Sequence, residues 1–182
     1  MSAEKAKEVL HFWLGELSRQ QWFAVSPELD VASRERFGPT HLALSRGEVT
    51  TWRETPEQRL AAIIVLDQLS RNIYRGSPLA FAADWMALRE ARLAIDAGAD
   101  QAVSAEQRGF FYLPFEHSES LADQERSVEL FKALGDADYL DYAERHLAVI
   151  REFGRFPHRN AFLGRESTGA ELEYLSKPGA GF

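Results

Sequence analysis

At 182 residues, with 21 basic and 28 acidic side chains, a formal charge of −7 and no cysteine, the chain fits one domain of ordinary composition. The missing thiols exclude disulfides, thiolate nucleophiles, cysteine-type zinc sites and iron–sulfur clusters, and the acidic balance argues against a general nucleic-acid binder. A chain of this length buries about 70% of its unfolded surface, so it needs no metal or disulfide staple.

Residues 1–15 set Glu4, Lys5, Lys7 and Glu8 among apolar neighbours, unlike the uninterrupted core of a signal peptide. No apolar run approaches the roughly 18 residues that span a bilayer, so a cytoplasmic location off the membrane is expected. Helix starts recur along the chain. Ser26-Pro27, Thr55-Pro56 and Ser77-Pro78 each place a capping hydroxyl before a proline suited to the first helical position. Ser104 and Gln107 fit a capping box, and Ser167-Thr168 precedes Gly169. Gly15, Gly47, Gly76, Gly98, Gly135 and Gly154 supply the stops.

These signals predict eight helices, near 3–14, 27–45, 56–73, 78–97, 105–113, 119–134, 136–153 and 169–176. The third turns Leu60, Ile63 and Ile64 to one face, and the fourth turns Phe81, Trp85, Leu88, Leu93 and Ile95. The sixth offers Leu121, Val128 and Phe131, and the seventh Tyr139, Tyr142, Leu147 and Ile150. No period-two stretch is long enough for a sheet. The fold class is therefore all-α, with short connections that suggest antiparallel helix pairs in a TPR-like or HEAT-like superhelix. One helical domain, 1–176, is expected, with a loose tail at 177–182. Trp13, Trp22 and Trp52 fall to neither core nor surface on pattern alone.

Four lysines (Lys5, Lys7, Lys132, Lys177) among the 21 cations leave 17 arginines, and placement matters more than number because codon usage also favours Arg. Three polar segments stand out. In the first, 67–76, Asp67 and Arg71 continue the apolar face of the third helix one turn apart, so they are expected to face inward and pair. Arg71 and Arg75 lie together near a helix C-terminus, whose dipole favours cations as well as an anion site would explain them. The second, 114–126, holds Glu116, His117, Glu119, Asp123 and Gln124; acids and serines there also suit a helix start. The spacing of His117 and Glu119 matches no metal site. The third, 153–168, interleaves Arg155, His158, Arg159, Asn160 and Arg165 with Phe153, Phe156, Phe162 and Leu163, a positive excess that the second segment's carboxylates can meet. Ser70-Arg71-Asn72 before Gly76 is echoed by His158-Arg159-Asn160 before Gly164.

These stretches, with Val9–Glu16, Trp22-Phe23, Ile63–Gly76, Tyr112–Glu119, Asp123–Ser127, Gly154–Asn160 and Leu163–Thr168, resemble the mainly bacterial family catalogued as domain of unknown function 924. The resemblance spans nearly the whole chain and implies a TPR-like α-α arrangement. Leu69-Ser70 departs from the Phe-Pro common there. The family carries no settled activity, so the resemblance assigns no catalytic residue.

Three functions stay open. The leading one binds a small anionic ligand or an acidic peptide terminus through Asp67, Arg71, Asn72, Arg75, His117, Glu119, Asp123, Arg155, His158, Arg159, Asn160 and Arg165, using bidentate Arg contacts. A hydrolase-type enzyme would use His117 or His158 as base with Glu116 or Glu119 assisting, though no nucleophile motif accompanies them. In a purely structural reading the cluster is an ion-pair lattice in an interaction scaffold. No cofactor, metal, nucleic acid or membrane is expected in any of them, and the oligomeric state is left open.

Overall fold

The computed structural model describes residues 2–181. Met1, where the expected domain begins, and Phe182, where the expected tail ends, lie outside the described residues. Among those described the chain is all-α. It runs through α1 (Ala3–Leu10), α2 (Arg19–Trp22), α3 (Pro27–Ser45), α4 (Pro56–Ile63), α5 (Ser70–Ile73), α6 (Asp84–Asp96), α7 (Ala105–Glu116), α8 (Leu121–Leu134), α9 (Ala137–Phe153), α10 (Asn160–Leu163) and α11 (Gly169–Leu175), with no strand. The predicted 3–14 helix ends in a π turn, His11–Glu16, and the predicted 56–73 helix becomes α4, a π turn at Ile64–Leu69 and α5. Ser77 caps only a 3-10 turn, Pro78–Ala80, and α6 starts after it. The one-turn helices α2 and α10 are additional.

Capping chemistry starts the helices where the sequence predicts. Ser26 accepts from the Leu29 N–H, Thr55 from Gln58 and Thr168 from Glu171. Ser104 and Gln107 exchange both bonds of their box at the start of α7. The chain divides into two compact units, Met1–Pro114 and Phe115–Phe182, with α7 running across the boundary.

In the first unit the helix through α4 and α5 is the core element, since every residue from Leu60 to Ser70 is buried. A helix enclosed all round is the kind that surrounds itself with other helices, and α1, α3 and α6 contribute its neighbours. The inward face of α6 differs from the one predicted. Trp85 is 62% exposed and Leu93 39%, while Met86, Ala87, Glu90, Ala91 and Ala94 turn inward. Small alanines let α6 approach α4 closely, and Glu90 is tolerated because Arg53 and Arg89 bond its carboxylate. Trp13, Trp22 and Trp52 are all core; Trp22 donates its indole N–H to the Trp13 carbonyl at 2.6 Å and packs edge-on to Phe110.

In the second unit α8 and α9 pack against each other across a short turn at Gly135, whose φ of 80° suits a glycine helix stop. Phe131 stacks on Tyr139, and Val149, Ile150 and Phe156 form a cluster joined by Phe153 and Tyr174.

His41 on α3 gives the first unit a pH signature. It is buried, with Nδ1 3.4 Å from the Tyr74 hydroxyl, and burial lowers its pKa from 6.5 to about 4. The unfolded chain takes up this proton first as pH falls, so stability is full above pH 6.5 and drains away between 6.5 and about 4. The shift corresponds to roughly 3 kcal/mol, and His146, also lowered, adds to the same slope. Urea unfolding followed from pH 7.5 to 5 should therefore lose stability on acidification, and His41→Phe should flatten the curve; an unchanged slope would show that His41 titrates normally.

Candidate functional site

The first polar segment lies in the first unit, and there its cations are already engaged. Asp67 is fully buried. Its carbonyl, on the wide π turn, accepts from the Ser70 hydroxyl at 3.0 Å and from Arg71 at 2.5 Å, and its carboxylate accepts from Gln68 at 2.6 Å. Arg71 stands 3.7 Å from the Asp67 carboxylate as the spacing predicts, but its bidentate partner is Asp84, at 3.0 and 3.1 Å. Arg75 closes a second fork on Asp30, at 2.6 and 2.9 Å, and Asn72 donates to the same carboxylate. Burial alone would raise the Asp30 pKa, but Arg75 and Asn72 hold it below its ordinary value. Asp30 and Asp84 escape sequence reasoning because they sit at helix starts, where an acid is expected for the dipole alone.

The second and third segments come together in the second unit. Ser118 donates to Asp123 at 2.8 Å, and Gln124 donates to the carbonyls of Glu116 and Ser118 at 2.5 and 2.7 Å, which fixes the turn into α8. Glu119 is not on that helix. It reaches Arg165 in a bidentate pair, at 2.8 and 2.9 Å, and accepts the Phe156 N–H at 2.8 Å. Arg165 in turn donates to the Phe156 carbonyl at 3.1 Å and to the Asn160 side chain at 2.9 Å. One ion pair thus grips both polar groups of Phe156. Burial pushes the Glu119 pKa up, but the Arg165 and Phe156 hydrogen bonds outweigh it and hold the carboxyl ionised. Arg155 forks onto Glu171 at 2.6 and 2.8 Å, and with the Thr168 N–H it lowers the Glu171 pKa to about 2.

Held in this way, the Phe156 ring is a hub. The His146 ring meets it edge-on at 5.5 Å, His158 lies tilted at 5.6 Å, and the Arg159 guanidinium sits over its face at 4.6 Å. His117 is 6.3 Å from His146 between ring centres, and a Glu116 oxygen is 3.4 Å from His146 Nδ1. His146, Glu116 and Arg159 are buried. His146 Nδ1 also lies 2.8 Å from the Tyr142 carbonyl. A carbonyl only accepts, so that bond puts the neutral ring's proton on Nδ1 and makes Nε2 the unprotonated, accepting nitrogen. Burial lowers the His146 pKa well below 6.5, and His117, Arg159 and His158 lower it further against the Tyr142 carbonyl.

Glu116 thus stands beside His146, a histidine that the sequence reading does not name, with His117 and His158 in the same cluster. His146 carries a signal of its own: it falls on the buried stripe of α9 with Tyr139, Ala143 and Ile150, a polar residue at a core position. Glu171 carries only the capping-box spacing from Thr168, which accounts for an acid there without an ion pair. In the two echoed stretches Arg71 forks onto Asp84 and Asn72 donates to Asp30, whereas Arg159 lies over the Phe156 ring and Asn160 accepts from Arg165. No group of three or more His, Asp or Glu able to hold a metal occurs among the described residues.

An all-α protein with arginine–carboxylate forks in both units and a histidine–arginine cluster in the second is the class that these features define. The chain belongs to the family described as bacterial protein of unknown function (DUF924), whose model matches residues 9–179. It is similar to the solved structure of a protein of unknown function from Agrobacterium tumefaciens, at 40% identity and a TM-score of 0.92, covering 97% of this chain and 99% of that one. No curated protein matches it. No helix among the described residues is long and apolar enough to cross a membrane.

The clamp on Phe156 is measurable. A double-mutant cycle of Glu119→Gln and Arg165→Met should give a coupling of about 1–3 kcal/mol in denaturant unfolding. The exposed pair Arg126–Glu129, at 2.9 Å, should give no more than about 0.5 kcal/mol. Equal couplings would reduce the clamp to a surface contact.

Proposed function

We propose that this protein binds a small anionic ligand, through its carboxylate or phosphate group, at the cluster around Phe156. The wider reading is of a cytoplasmic protein built from TPR-like helix pairs. Four of the arginines named from the sequence, Arg71, Arg75, Arg155 and Arg165, already fork onto carboxylates, so the ion-pair lattice accounts for them. The observation that carries the ligand reading is the gathering of His146, His158 and Arg159 around one aromatic ring, with His117 beside His146, close enough to depress the His146 pKa together. An arriving anion relieves that excess of positive character, and a proton taken up on His146 Nε2 turns an acceptor into a donor. Arg159 supplies the permanent charge.

A second reading is a hydrolase-type enzyme, favoured by the Glu116–His146 distance of 3.4 Å. There the carboxylate would steady the ring while Nε2 draws a proton from water. Turnover of a phosphate or carboxylate ester that vanishes in His146→Gln would support it.

Sulfate separates binding from lattice because it stays a dianion across about pH 5 to 8, so any pH dependence belongs to the protein. Calorimetry should show binding that tightens from pH 8 to 6 with net proton uptake, the uptake read from buffers of differing ionisation heat. Arg159→Ala should weaken it by about 10- to 100-fold. The same affinity in wild type and Arg159→Ala, or no binding at either pH, would leave the cluster as lattice only.

A further inference from the structure

The segment that follows α11 bears on His158. Lys177 N–H bonds the Tyr174 carbonyl and Ala180 N–H bonds the Lys177 carbonyl, both at 3.1 Å, so Pro178 and Gly179 form a turn that brings the chain back. Gly179 and Gly181 have φ of 77° and 87°, a region open to glycine at little cost. At Gly181 a Cβ would lie 3.0 Å from the His158 Cβ, 3.4 Å from Cγ and 3.8 Å from Nδ1. A side chain there would need His158 to give by a few tenths of an ångström, so the main chain at Gly181 packs beside the His158 Cβ and the adjoining edge of its ring. The root of the segment is anchored: Phe153 packs on Tyr174 at 5.2 Å, and Arg155 forks onto Glu171. The turn beyond is held by short backbone bonds and carries two glycines.

We propose that residues 178–181 form a lid over His158, closed in this structure and hinged at the Pro178-Gly179 turn, which lifts to admit the anion to the cluster. This rests on the ligand reading, but the position of the lid can be tested without any ligand. Carbethoxylation by diethyl pyrocarbonate, followed by peptide mass spectrometry, reports access to each imidazole. His11, whose side chain is 75% exposed, is the internal reference.

Gly181→Ala forces a left-handed alanine against His158. Its strain, roughly 1–2 kcal/mol, converts to about 5- to 30-fold more open lid. The His158-to-His11 labelling ratio should rise by about that factor. Gly179→Ala, strained at φ 77° with nothing within 4 Å, should raise it through the hinge alone. Gly135→Ala, equally strained at φ 80° but at the end of α8, should leave it unchanged. A ratio equal to wild type in both lid variants overturns the lid, as does an equal rise in Gly135→Ala. Sulfate added to each protein tests the other claim: failure to protect His158 in the opened variants counts against the binding site and leaves the lid standing.

Discussion

Glu119 and Arg165 close a bidentate pair around the main chain of Phe156, one partner taking its N–H and the other donating to its carbonyl. The cluster of the second unit depends on that grip. Phe156 precedes only a 3-10 turn, Pro157–Arg159, and the one-turn α10, which are too short to set the direction of the chain by themselves. With both polar groups of its backbone bonded, Phe156 can enter the core beside Val149 and Ile150 and still present its faces to His146, His158 and Arg159. Oppositely charged groups that are partly withdrawn from water provide this rigidity because each leaves the other costly to unpair.

The same use of charge recurs in the first unit. Asp30, Asp67 and Glu90 are buried, and each is met by hydrogen-bond donors from arginine, asparagine or glutamine. An arginine suits this task better than a lysine because its planar fork satisfies both oxygens of a carboxylate at once. The bias toward arginine in the composition thus has a structural use in this fold, and most of the arginines that look functional in the sequence serve it. What distinguishes the Phe156 cluster is histidine: His146 and His158 meet the same ring as the Arg159 guanidinium, and imidazole can change its charge near neutral pH, which a fork of Arg and Asp cannot do.

Much of the fold is legible residue by residue. Ser26, Thr55, Ser104 and Thr168 cap the helices that their spacing predicts, and Gly135 and Gly154 end α8 and α9 in left-handed conformation. Where reading along the chain misplaces a face, as on α6, the cause is that apolar periodicity counts large side chains. Packing selected alanines there, because two helices approach more closely over small residues. The candidate site was half visible. His117, His158, Arg159 and Glu116 stand out by composition, whereas His146 shows only as one polar residue on the buried stripe of α9, outside the three polar segments.

The sequence by itself determines helix positions, the all-α class and which segments are too polar to be ordinary core, because capping, glycine stops and 3.6-residue periodicity act over one or two turns. The tertiary structure alone decides which charge answers which. Arg71 chooses Asp84 thirteen residues away, Arg75 chooses Asp30 across forty-five, and Arg165 chooses Glu119 across forty-six. Partnership of this kind is fixed by where the helices pack, and no local spacing encodes it. The histidines around Phe156 become a candidate site for the same reason: they are gathered by an ion pair whose two halves lie far apart in the chain.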